Sequence, residues 1–168
     1  VADRPGADAA GRPGRRRREG GEPMSWMVVR VRGTIHARHD ITETLAFLHL
    51  TRPNHATVLP ESPSMRGMLI KVQGYITWGE ADPTTVGELL AQRGERTPSA
   101  PAVDAGAPPP EVAKQVTERG LIGTDGWKPR FRLRPPKGGW KSTKKPFARG
   151  GALGYRGPKI NDLVRRMM

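Results

Sequence analysis

The sequence predicts an α+β fold: a small sandwich whose sheet is covered by helices on one side, followed by a long basic extension. Three observations predict it. Strand-like and helix-like segments follow one another as strand, helix, strand, helix, strand within about 55 residues. Apolar residues make up only 35% of the chain while Gly (21) and Pro (17) are abundant, which fits a compact core with extensions better than a uniform globule. The charge is also uneven: residues 128–168 hold thirteen Lys or Arg against one acid, Asp162, whereas residues 24–127 hold ten basic and eleven acidic residues. Most of the formal net charge of +13 therefore sits in the last quarter of the chain, and charge so concentrated usually serves a polyanion.

Residues 1–23 contain no aromatic residue and one large aliphatic, Val1, too little apolar surface to offset the entropy of ordering. They read as a disordered extension. Two readings of this stretch stand side by side: Arg15 to Arg18 touch phosphate, or the working protein starts at Met24. Trp26 to Arg32 alternates as a strand, with Met27, Val29 and Val31 directed to a core and Val28, Arg30 and Arg32 to a half-polar second face. Asp40 and Glu43 resemble a capping box opening a helix to about Leu50, with Ile41, Leu45 and Leu48 on its apolar stripe and Pro53 closing it. His55 to Leu59 is a second strand. Ser62 as N-cap and Pro63 at the first helical position open a second helix carrying Met65, Met68, Leu69 and Val72, with Gly74 suited to a left-handed end. Tyr75 to Trp78 is the third strand.

Beyond it, Thr84 to Gln92 reads as a short helix, Thr97 to Pro110 as a Pro/Ala linker, and Glu111 to Arg119 as another helix. After the basic tract, Ile160, Leu163, Val164 and Met167 form an i, i+3, i+4, i+7 stripe, so a terminal helix is expected to dock on the body and pin both ends of the basic segment. The expected organisation is a disordered extension over 1–23, a βαβαβ core over 24–80, a helical insertion with its linker over 81–127, and a basic RNA-binding extension over 128–168.

The absence of Cys removes disulfides, thiolate zinc sites and cysteine nucleophiles, and is compatible with the cytoplasm. No apolar run approaches the ~20 residues that span a membrane. His36 and His39, three apart beside Asp40, are a weak metal signal, and a loop and cap role is the stronger reading. No nucleophile elbow, Walker loop or placeable carboxylate pair occurs, so neither an enzyme nor a cofactor is expected.

The basic tract carries the positive argument. Arg130, Arg132 and Arg134 alternate with Phe131 and Leu133, which in a strand puts guanidinium groups on one side and apolar anchors on the other. Arg forks match phosphate oxygens, while Lys137, Lys141, Lys144 and Lys145 act as mobile point charges. Trp140, Phe147 and Tyr155 either stack on unpaired bases or fix the extension to its own core. Gly138–Gly139 and Gly150–Gly151 let the backbone bend along phosphates. Arg66 and Gly67, early in the second helix, can meet a phosphate at the positive end of the helix dipole, and Gly67 either admits a close ligand or packs on the sheet.

Two blocks, VVRVRGTIHARHDITETLAFLHLTRPNHATVLPESPSMRGMLIKVQGYITWGE and FRLRPPKGGW…KKPFARGGALGYRGPKINDLVRRMM, resemble the archaeal form of large-subunit ribosomal protein L-thirty, whose eukaryotic relative is L-seven. The resemblance covers roughly residues 26–80 and 130–168, in the same order. It implies a three-stranded antiparallel sheet with two helices on one face, akin to ferredoxin-like folds. It further implies assembly into the large ribosomal subunit through ribosomal RNA near the 5S RNA, beside neighbouring ribosomal proteins. Carried over by position, the RNA-facing residues are Arg30, Arg32, Asn54, His55, Arg66, Gly67 and the Arg130–Lys145 tract. Residues 1–23 and the linker near 97–110 have no counterpart in it. The expected function is a non-catalytic structural constituent of the large subunit. The alternatives are a non-ribosomal nucleic-acid-binding protein, which would hold duplex DNA and structured RNA equally, and a ligand-sensing module, which would need an apolar pocket.

Overall fold

The computed structural model describes residues 25–98, 110–121 and 126–168. The sequence expectation for 1–23, and most of the Pro/Ala linker, lie outside the described residues. The elements are β1 (Ser25–Arg30), α1 (His39–Phe47), β2 (His55–Pro60), α2 (Pro63–Lys71), β3 (Ile76–Glu80), α3 (Pro83–Arg93), α4 (Pro110–Arg119), β4 (Phe131–Arg132), β5 (Gly154–Tyr155) and α5 (Ile160–Met167). Short 3-10 turns at Phe147–Arg149 and Gly157–Lys159 flank β5.

β1 lies at the centre of the sheet, antiparallel to both β2 and β3, so the three-stranded antiparallel core is present as expected. The extension then lengthens both edges. β4 adds antiparallel to β2, and β5 adds parallel to β3, giving the order β4-β2-β1-β3-β5.

All six residues of β1 are buried, so the half-polar second face expected for it is a misreading. The sheet is covered on both sides. Trp26 and Val28 join Leu45, Leu48, Leu59, Leu69 and Val72 under α1 and α2. Met27 and Val29 join Val86, Leu89, Val116, Phe131, Ile160, Leu163, Val164 and Met167 under α3, α4 and α5. The alternation of Met27 and Val29 against Val28 is real, but both sets are apolar because each meets a helical layer, and Val31 beyond them packs with Trp140, Ala152 and Leu153. The terminal helix docks through its predicted stripe, with Ile160, Leu163, Val164 and Met167 all buried. Asn161 locks its start to the end of β3: its side-chain amide donates to the Glu80 and Pro158 carbonyls and its Oδ1 accepts from the Asp82 N–H at 3.0 Å.

The helix ends follow local chemistry. Ser62 caps α2 by accepting from the Met65 N–H at 3.2 Å, with Pro63 in the first turn, as its sequence predicts. Asp40 does not cap α1. Arg38 occupies the N-cap with no side-chain bond, and Asp40 instead pairs with Arg38 at 3.3 Å and Lys71 at 3.8 Å. α1 stops before Pro53 exerts any effect. His49 turns left-handed (φ 59°), its N–H donates to the Ala46 carbonyl, and the Leu50 N–H reaches back to Leu45 at 2.9 Å. That is a Schellman closure, sealed by the apolar side chains of Leu45 and Leu50 in one core. Gly74 does not take the left-handed role given to it; Val72 caps α2 and its carbonyl accepts from the Tyr75 N–H.

Candidate RNA-facing surface

Two groups of basic residues emerge, one at an end of the sheet and one on the extension. The first is a transverse row. His55 is paired with Arg132 across β2 and β4, and Arg30 follows Val29, which is paired with Ala56 across β1 and β2. Opposed residues in antiparallel strands point to the same face, so Arg30, His55 and Arg132 line up across three strands. Asn54 makes this junction possible by adopting a left-handed conformation (φ 65°), a conformation Asn tolerates better than most residues. Its N–H donates to the Arg30 carbonyl at 2.9 Å, and its own carbonyl accepts from Leu133 at 3.2 Å.

Arg30 is only 2% exposed. Its Nε donates to the Arg32 carbonyl at 2.9 Å and its Nη1 to the Leu50 carbonyl at 2.7 Å, which ties the end of β1 to the close of α1. Burial pulls its pKa below the ordinary arginine value. His55 is 8% exposed, with Nδ1 at 3.4 Å from the Thr51 hydroxyl. Burial, and then the charges of Arg130, Arg132, Arg52 and Arg30, hold its pKa below the usual imidazole value. Arg130 brings a buried Nε that has no acceptor among the described residues, and the Asn54 Oδ1 likewise has no donor.

β4 is held from outside by a clamp that the sequence did not announce. Glu95 Oε2 accepts from Lys128 Nζ at 2.7 Å, and its other oxygen lies 3.4 Å from Arg132 Nε. The Lys128 hydrogen bond lowers the Glu95 pKa, with the Arg132, Lys128 and Arg130 charges adding to it against partial burial. Arg132 therefore keeps an exposed guanidinium in a fixed place.

The second group rides on an anchored loop. Phe131 is 1% exposed within the core, and Arg132 beside it is exposed, as the alternation of the tract predicts. The Arg134 and Lys137 N–H groups donate to the Met167 and Arg166 carbonyls, satisfying the free end of α5. Gly138 and Gly139 follow with φ of 85° and 73°, and a Cβ at either would meet nothing, so the turn projects freely. Trp140 then packs against Val31, Ala152 and Leu153. The Ala152 N–H closes the loop onto the Ser142 and Lys145 carbonyls. Gly151 lies against the Lys145 backbone, where a Cβ would collide. The side chains of Arg134, Lys137, Lys141, Lys144, Lys145 and Arg149 are exposed, and none has an acidic partner among the described residues.

The aromatic residues favour anchoring. Trp140 is packed, Phe147 lies under Arg156 (4.7 Å) and Lys159 (5.7 Å), and the Tyr155 hydroxyl donates to Glu80 with its ring 6.3 Å from Trp78. Arg156 itself is structural: it bonds Thr77 Oγ1 and the Ala152 carbonyl, and burial lowers its pKa to about 10. Arg32 is exposed and lies 5.5 Å over the Tyr75 ring. Arg66 and Gly67 stand on the outer side of α2, and among the described residues no hydrogen bond or ion pair joins Arg66 to either basic group. A Cβ at Gly67 would meet nothing, so packing on the sheet does not explain that glycine. Arg52 is the member of the first group that sequence reasoning missed, although its place two residues before Asn54 was a usable signal.

Comparison with known proteins bears on this arrangement. The family model for ribosomal protein L30p/L7e matches residues 26–76, from β1 to the start of β3. The large ribosomal subunit protein uL30 of Methanosphaera stadtmanae is 39% identical over 157 residues, covering 85% of this chain and 99% of that protein. Those of Methanopyrus kandleri and Nanoarchaeum equitans are 40% and 42% identical, covering 82% and 84% of this chain and 100% and 97% of their own lengths.

The chain belongs to the ribosomal protein L30p/L7e family. The L30p/L7e match covers the α1/α2 half of the sandwich, including Arg30, Arg32, Asn54, His55, Arg66 and Gly67. The basic loop lies beyond it in sequence but is built onto the same sheet.

Proposed function

We propose that this chain is a non-catalytic structural constituent of the large ribosomal subunit in the cytoplasm, binding ribosomal RNA through the sheet-end arginines and the loop from Arg134 to Lys145. The observation that carries this reading is a loop with a fixed backbone and free cations. Its main chain is tied to α5 and Trp140 is packed, while Lys137, Lys141, Lys144 and Lys145 are exposed. A preorganised basic loop loses little entropy on meeting phosphate, and each phosphate contact adds counterion release. Arg66 and the open backbone at Gly67 form a separate, smaller contact on α2. Neighbouring large-subunit proteins complete the environment, and the loop lies toward the 5S RNA. Arg30 serves from within, by setting the position and field of the row.

The test is photo-crosslinking in assembled large subunits, with a photoreactive group at position 141 and a control at position 114 on α4. The expected result is RNA crosslinked from 141, mapping in or beside 5S RNA, and none from 114. A position 141 that reacts only with water overturns the reading.

A further inference from the structure

Taking the RNA-binding reading above as its premise, we propose that Arg52, Arg130 and Arg132 gather one backbone phosphate of the bound RNA beside His55, and that the His55 imidazole takes up a proton as that phosphate docks. The geometry comes from three separate segments. Arg132 faces His55 across the β2–β4 ladder, Arg130 lies two residues before it, just ahead of β4, and Arg52 comes from the turn leading into β2, its carbonyl accepting from the His55 N–H at 3.3 Å. Arg30 lies beneath them with its guanidinium engaged by carbonyls, adding positive charge without being available as a ligand.

The site is electrically incomplete in the isolated chain. Four guanidinium groups act on one imidazole, and Glu95, the acid that pairs with Arg132, is shared with Lys128. Among the described residues no carboxylate is ion-paired with His55; Thr51 offers only a hydroxyl. The buried Arg130 Nε has no acceptor among the described residues. A phosphate oxygen is the acceptor that a cluster of arginines selects, and Arg52 and Arg132 are the members exposed to meet it. Burial and then the arginine charges keep a proton off His55, and the phosphate's negative charge would offset the second of these. The imidazole then gains a proton and a charged partner together.

By linkage, binding that takes up a proton strengthens as pH falls, with a slope in log K of up to about one per pH unit for one proton. The experiment measures binding of the full chain to transcribed large-subunit RNA by calorimetry in two buffers of different ionisation enthalpy, between pH 6 and 8. The wild type should take up a fraction of a proton approaching one, and His55→Gln should bind RNA without that uptake. As a second measurement that needs no variant, the His55 ring resonance should titrate at higher pH in the complex than in the free protein. Salt-sensitive binding with no proton uptake, or uptake that survives His55→Gln with an unmoved His55 resonance, overturns the proton-coupled phosphate site and leaves the RNA-binding reading intact. Failure to bind RNA at all overturns that reading, and the site with it.

Discussion

His55 faces Arg132 directly across the junction of β2 and β4, so the first residue of a core strand and a residue of the basic extension form one edge of the sheet. The extension is therefore part of the fold. With Arg30 completing the row from β1, the side chains of residues 30, 55 and 132 meet at the end of the sheet.

That junction makes stability pH-dependent. The folded state holds His55 below its ordinary value of 6.5, so the unfolded chain binds more protons as pH falls past that point. The contribution is fully present above 6.5 and is lost as pH falls toward the lower folded value. Urea midpoints measured from pH 7.5 to 5 should decline below 6.5, and His55→Gln should remove that part of the decline.

Phe131 tests whether the extension supports the core. It is 1% exposed among core residues, so Phe131→Ala should cost about 3–5 kcal/mol. Deleting 128–168 would also remove α5 and its buried stripe, so such a truncation should lack a cooperative urea transition. Loss of RNA binding on truncation therefore cannot separate charge from fold, and charge-neutralising substitutions are the proper probe.

Two glycines should respond in opposite directions. A Cβ at Gly79 would run into the Gly157 carbonyl, so Gly79→Ala should destabilise by about 1–3 kcal/mol through displacement of the turn before α5. Gly67 lies inside α2 with open space around it, so Gly67→Ala should stabilise the free protein by up to about 1 kcal/mol. If RNA backbone approaches closely there, the same substitution weakens RNA binding, which a filter-binding titration reads directly.

At the other edge of the sheet, burial and then the Glu80 hydrogen bond raise the Tyr155 pKa to about 12. The folded value exceeds the ordinary 10.0, so this contribution is present below 10.0 and is lost as pH rises from there to about 12. Thermal melts between pH 9 and 12 should show a steeper decline for wild type than for Tyr155→Phe.

Much of this architecture is legible in the residues. The spacing of Ile160, Leu163, Val164 and Met167 can serve only a helix with one buried face, and Ser62–Pro63 marks a helix start by local hydrogen bonding alone. The second covered face of β1 was less legible, because Arg30 and Arg32 suggested solvent while Arg30 is satisfied by distant carbonyls. Asp40 fits a capping box in sequence, but Arg38 and Lys71 engage its carboxylate. The arginine row was visible as separate residues and not as a unit, since only strand register brings 30, 55 and 132 together. The Glu95 clamp has no local signature, as its partner Lys128 lies 33 residues downstream.

The most direct test is the salt dependence of RNA affinity. Wild type and a variant combining Lys137→Gln, Lys141→Gln, Lys144→Gln and Lys145→Gln should be titrated against large-subunit RNA from low to moderate salt, after matching urea midpoints confirm that both are folded. Four lost phosphate contacts should reduce the log–log slope by roughly 3 and weaken binding most at low salt. Superimposable slopes for the two proteins would contradict the claim that this loop lies against RNA.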